Sequence, residues 1–196
     1  MEVEAATRRF HLWLRGLRGL RRELRAARWA DDPAQLGSLV GRFVAHVECY
    51  TAARAEMDPV WTLSAPWSGR RFEAQLPDLL LGVSSGNLGD LSPSQLAQID
   101  DLQRRTVAEE DGLSREMALV QEGHGAVAAG GEVDVDGIVG RVRGVLGRAD
   151  ALRLRTVKRA VEILEPAQAA ELLVAAADME IGFREFGLKY SSARSD

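Results

Sequence analysis

The stretch Leu91-Ser-Pro-Ser-Gln-Leu-Ala-Gln-Ile-Asp-Asp-Leu-Gln-Arg-Arg-Thr-Val-Ala-Glu-Glu-Asp-Gly-Leu-Ser-Arg-Glu-Met-Ala-Leu-Val-Gln121 decides the fold class. Ser92 is a good N-cap, Pro93 suits the first helical position where its missing N–H is no loss, and Gln95 completes a capping box. Leu96, Ile99, Leu102, Thr106, Leu113, Met117 and Val120 then recur at three- and four-residue steps, a mostly apolar stripe along one side of a helix from Pro93 to about Glu122.

The same reading extends in both directions. Toward the N-terminus, Phe10, Trp13, Leu17, Leu20, Leu24 and Ala27 share one face of a helix over residues 7–29, with Leu12, Leu14 and Trp29 outside that face. Arg8, Arg15, Arg18, Arg22 and Arg25 fall opposite. Gly16 and Gly19 weaken this helix by about 1 kcal/mol each relative to Ala, a cost that close approach of another helix would explain. Asp32-Pro33 starts a second helix, whose stripe Leu36, Leu39, Val40, Phe43, Val44, Val47 and Tyr50 runs to about Ala55; the short connection makes the two helices antiparallel neighbours. Asp58-Pro59, Ala65-Pro66 and Ser68-Gly69 punctuate an irregular segment carrying Trp61 and Trp67. A short helix near residue 75 bears Phe72, Leu76, Leu79 and Leu80.

Toward the C-terminus, Gly123 to Gly131 reads as a mobile connection rich in Gly and Ala. Asp134 or Asp136 caps a helix that buries Ile138, Val142, Val145, Ala149, Leu152 and Val157, and Glu165-Pro166 ends or kinks it. A last helix, residues 166–186, turns Leu172, Leu173, Ala176, Met179 and Phe183 inward. No alternating run bounded by turns marks a strand. The expected fold is all-α: one elongated helical bundle of four to five long helices plus a short helix, a single domain over residues 1–196 with frayed ends up to residue 6 and over 190–196.

Composition narrows the function. Of 196 residues, 46% are hydrophobic and only 6% aromatic, which suits helices filled with Leu, Val and Ala. Cys49 is the single cysteine, so no internal disulfide forms and a reducing compartment fits. No apolar run reaches the ~20 residues of a membrane span, and Arg15 interrupts the only apolar stretch that follows Arg8-Arg9, so neither a span nor a signal peptide is expected. These features point to the cytoplasm or nucleus. Net charge is −4, unevenly placed: residues 1–30 hold eight Arg against three Glu, a balance of +5, so the rest carries −9. An acidic body with one basic helix is unlike a dedicated nucleic-acid binder.

Catalytic constellations are thin. His46 and Cys49 are three residues apart on one helix, within reach of each other, but this spacing is equally that of two residues beside a packing face. His46-Val47-Glu48-Cys49 and Glu109-Glu110-Asp111 match no ligand-spacing motif, and the acidic triplet reads as a solvated face. Gly130-Gly131 and Gly137 to Gly140 lack the preceding strand and the Lys of a phosphate loop. The arginine face is the best electrostatic feature: Arg15, Arg18, Arg22 and Arg25 are the candidate partner-binding residues. Such a face suits an anionic membrane surface, an acidic partner or nucleic acid, and equally a solvated face whose Arg stems cover apolar surface.

Three ordered segments resemble the plant DOG (delay-of-germination) domain and the related C-terminal half of TGA-type bZIP factors. The first is Phe10 to Tyr50, with Trp13-Leu14 and Val44-Ala45-His46. The second is Leu91 to Gln121. The third is Gly144 to Lys189, with Ala149-Asp150-Ala151-Leu152-Arg153, Ile163-Leu164-Glu165-Pro166-Ala167-Gln168-Ala169-Ala170 and Phe183-Arg184-Glu185-Phe186-Gly187. The resemblance implies an all-helical plant regulatory domain without enzymatic activity. It departs in two places: no basic leucine-zipper region precedes residue 8, so direct DNA binding is not implied, and Phe72 to Leu81 stands where a Trp-Leu-Gly-Gly-type segment is usual. Dormancy-linked members are associated with haem and with protein phosphatases. The C-terminal region here has no His to ligate haem, so no cofactor and no metal are expected. A non-enzymatic protein-interaction module with protein partners follows, with the inaperturate-pollen branch, and so pollen aperture formation, its most specific form and a homodimer open. The alternatives are a haem- or lipid-sensing dormancy-type regulator, with Trp61 and Trp67 as a pocket wall, and a transcriptional co-regulator related to TGA factors.

Overall fold

The computed structural model describes residues 2–27, 32–56, 91–127 and 134–192, with side chains from residue 4 onward and without those of 123–127, 183–184 and 186–192. Among these residues every regular element is a helix: α1 (Glu2–Ala27), α2 (Pro33–Ala55), α3 (Pro93–Val127), α4 (Val135–Ile163) and α5 (Pro166–Ser192). The all-α bundle read from the sequence is the observed fold. The short helix near residue 75 and the Trp61/Trp67 segment lie outside the described residues.

The helix starts carry the predicted chemistry. At α3 the Ser92 N–H donates to Gln95 Oε1 at 2.9 Å, and the Gln95 N–H donates back to Ser92 Oγ at 3.2 Å, a complete capping box. Asp32 Oδ1 accepts from the N–H groups of Ala34 and Gln35 at the head of α2. Between the two candidates for the head of α4, the structure selects Asp134, whose Oδ1 accepts from the Gly137 N–H at 2.8 Å. Leu164 is extended, and Pro166 opens α5 after it, so the chain turns there instead of kinking.

Three helices outrun their sequence-based ends. α1 begins at Glu2 instead of Thr7, and the carboxylate of Glu4 suits the positive end of its dipole. α3 continues past Glu122 to Val127, and α5 past Phe186 to Ser192. Once a helix is nucleated each added residue gains a hydrogen bond, and single glycines such as Gly123 and Gly187 cost only about 1 kcal/mol each.

α1 and α2 pack on each other and both pack on α5; α2 also packs on α4, and α4 pairs along its length with α3. One core joins all five helices, with Phe10, Leu17 and Leu24 from α1, Phe43 from α2, Ile99 from α3, Ala160 from α4 and Leu173 from α5 among its buried members. Ile99 lies at the start of α3, and Val157 and Ala160 at the end of α4. The opposite ends of that pair form a separate cluster: Met117, Val120, Val142 and Val145, with Leu113 and Leu146 against them. With α3 about 52 Å long at 1.5 Å per residue, the α3–α4 hairpin extends well past the main core and brings its own apolar filling.

Leu14 corrects the sequence reading: placed outside the core face, it is buried. α1 contacts two helices, so its buried stripe is wider than the single seam the spacing drew. Trp13, placed inward, is half-buried at the edge of that stripe. A buried polar pair joins α3 to α4. The hydroxyls of Thr106 and Thr156 lie 3.2 Å apart, and each is also 2.9 Å from the carbonyl four residues before it. Two hydroxyl hydrogens can fill only two of these three contacts at a time, so one of the contacts is always without a proton.

Candidate functional site

The arginine face of α1 divides into two ridges. On one, Arg18 donates to Glu185 at 2.8 Å, Arg21 donates to Asp178 Oδ1 at 2.8 Å, and Arg25 donates to the other oxygen of Asp178. This seam fastens α1 to α5. Arg18 and Arg25 are seven residues apart, as are Asp178 and Glu185, and the pairs run antiparallel. The seam is partly solvated, so each link is worth at most about 1 kcal/mol. Arg21, at the edge of the apolar stripe, is not among the sequence candidates, because its partner Asp178 arrives from α5 and no spacing along α1 reveals it.

Arg15 and Arg22 lie on the second, outer ridge. Both are exposed, and neither forms an ion pair with a described residue. The structure therefore keeps the four candidate residues on one helix but separates their surroundings: Arg18 and Arg25 face α5, and Arg15 and Arg22 face solvent. On the far side of α1, Glu23 accepts from Arg42 of α2 at 2.7 Å.

The α1–α2 contact depends on a missing side chain. A Cβ at Gly16 would sit 2.5 Å from His46 Cε1 and 3.0 Å from its Nε2, so glycine alone admits the imidazole. His46 Nε2 donates to the Trp13 carbonyl oxygen at 2.9 Å, and its ring is parallel to the Trp13 indole, which in turn stacks on Tyr50 at 4.0 Å. Gly16 thus marks the close approach expected of it; an added Cβ at Gly19 would meet nothing within 4 Å. His46 is committed to α1 and Cys49 is exposed, so the two do not form a nucleophile–base pair. Among the described residues no three His, Cys, Asp or Glu side chains converge on a point where a metal could sit.

The least expected polar feature is buried between α2 and α4. Asp150, 6% exposed, accepts from Arg153 at 2.7 Å and pairs with Arg54 at 3.4 Å. The triad fastens two helices. Sequence spacing could find the Asp150–Arg153 step along one helix but not Arg54, which arrives from the last turn of α2.

No protein-family model matches the chain. Protein DOG1-like 3 of Arabidopsis thaliana is 27% identical over 208 aligned positions, covering 81% of this chain and 74% of that protein. Protein DOG1-like 2 of the same plant is 24% identical over 91% of this chain and 88% of its own length, and Protein DOG1-like 1 is 33% identical over 56% and 46%. The chain is thus similar to DOG1-like proteins over most of its length. Two of the segments on which the sequence resemblance rests meet in the structure. The Gln95 amide at the head of α3 donates to the Ile163 carbonyl at 3.1 Å and to Gln168 Oε1 at 2.9 Å, and Gln168 Oε1 also accepts from the Glu165 N–H. Gln95 therefore caps its own helix and clasps the α4–α5 turn. No described helix is long and apolar enough to cross a membrane.

Proposed function

We propose that this protein is a DOG-domain member and a non-enzymatic regulatory module that works by binding other proteins, with the outer face of α1 as its contact surface, in the cytoplasm or nucleus of plant cells. The observation that carries the reading is the division of the α1 arginines: the fold uses Arg18, Arg21 and Arg25 for itself and leaves Arg15 and Arg22 exposed without an ion pair among the described residues. Arginine is enriched where proteins meet, because its planar fork binds carboxylates bidentately and its stem covers apolar surface. Pollen aperture formation is the most specific process proposed. It rests on the resemblance to the inaperturate-pollen branch.

Affinity capture from developing anthers tests this reading. The wild-type protein is expected to retain a defined set of proteins that Arg15→Glu/Arg22→Glu loses, with helical content and melting temperature unchanged, since surface changes away from packing features lie within about 0.5 kcal/mol. Identical retention by the variant would reject the α1 face as the contact surface.

A further inference from the structure

The outer ridge of α1 is longer than the two arginines above. Arg8, Arg15 and Arg22 follow one another at seven-residue intervals, all exposed, and none forms an ion pair with a described residue. At 1.5 Å per residue the ladder spans about 21 Å in steps of about 10 Å. Between its rungs stands Leu12, 60% exposed, and at Gly19 an added Cβ would meet nothing within 4 Å. The ridge is thus basic, straight, studded with one apolar side chain, and smooth at one point.

The molecule already shows what such a ladder receives. On the adjacent ridge, Arg18 and Arg25, also seven apart, are met by Glu185 and Asp178, seven apart on the antiparallel helix α5. An α-helix returns to nearly the same face after seven residues, so two antiparallel helices with charges at that interval match rung for rung. From this internal template we infer that the outer ridge of α1 docks an amphipathic helix of a partner protein that carries carboxylates at seven-residue intervals and an apolar residue set against Leu12. This inference rests on the proposed α1 contact surface and names the chemistry of what occupies it.

The other anionic occupants fit less well. A helix that lies on a membrane turns its apolar face to lipid, and the apolar face of α1, from Phe10 to Leu24, is buried in the core. A nucleic acid would meet a ridge one residue wide on a body of net charge −4.

The test titrates the full-length protein, by fluorescence anisotropy at two salt concentrations, against three synthetic helical peptides of about six turns. One carries Glu at positions one, eight and fifteen with a Leu between the first two. The second has the same composition with the Glu residues moved off a common face, and the third has Gln for Glu. Vesicles containing phosphatidylserine are measured alongside. The in-register peptide is expected to bind about five- to tenfold more tightly than the other two, the gain that two or three aligned, solvated ion pairs supply. That advantage is expected to vanish in Arg8→Glu/Arg15→Glu/Arg22→Glu and to survive in Arg115→Glu/Arg141→Glu/Arg143→Glu, which makes the same charge change on α3 and α4. Equal binding of the in-register and moved-Glu peptides, equal loss in both variants, or binding of vesicles without binding of the in-register peptide would each overturn the inference. If the peptide fails while anther proteins still depend on Arg15 and Arg22, the contact surface stands and only the occupant is wrong; if both fail, the contact surface itself is rejected.

Discussion

Asp150→Ala is expected to destabilise the protein by about 3–5 kcal/mol, read as a lowered denaturation midpoint with the denaturant slope preserved. The Asp150 carboxylate is buried between Arg153 of its own helix and Arg54 of α2, whose side chains are only 12% and 16% exposed. Removing the carboxylate takes its negative charge away from two sheltered guanidinium groups, and the cost is that of buried positive charge more than that of two lost bonds. A control separates these explanations. Replacing the trio together, as Arg54→Met/Asp150→Leu/Arg153→Met, removes all three charges and is expected to be far milder than Asp150→Ala alone. A triple variant as unstable as the single one would show that lost contacts, not buried charge, set the effect.

Gly16→Ala is expected to cost about 1–3 kcal/mol, the opposite sign from the gain that alanine normally brings to a helix interior. The new methyl would overlap the His46 imidazole, which can move aside only by giving up its contacts: Nε2 is tied to the Trp13 carbonyl, and the ring lies parallel to the Trp13 indole beside Tyr50. Gly19→Ala, in the same helix with open space around the new Cβ, is expected to stabilise by up to about 1 kcal/mol. The clash is local, so a double-mutant cycle with His46→Ala is expected to recover most of the Gly16→Ala loss. Additive losses would place the cause elsewhere than the imidazole.

The sequence made the helices legible because their boundaries are local chemistry. The Ser92–Gln95 box, Asp32 before Pro33 and Asp134 before the α4 stripe are contained within four residues each, and each appears in the structure with its hydrogen bonds made. Helix ends without such a stop signal were read short, as at Glu122 and Phe186, because a glycine in an established helix is a mild penalty and not a terminator. What sequence periodicity cannot supply is how many neighbours a helix has. α1 packs on two helices, so Leu14 joined the core and the arginine face split into a seam and an open ridge. The same limit hid the Arg54–Asp150 pair and the second role of Gln95, since both depend on residues brought from distant helices. The four arginine candidates were therefore legible as residues, while the distinction between those that bind α5 and those that face solvent became visible only in three dimensions.

Differential arginine labelling of the protein captured with its anther partners tests the central claim most directly. In the free protein a guanidinium-specific dicarbonyl reagent is expected to modify Arg15, Arg22 and the exposed Arg104 and Arg141 alike. In the complex, Arg15 and Arg22 are expected to be protected while Arg104 and Arg141 remain reactive. Full modification of Arg15 and Arg22 in the intact complex would contradict the account, because the partner would then be held by some other part of the bundle.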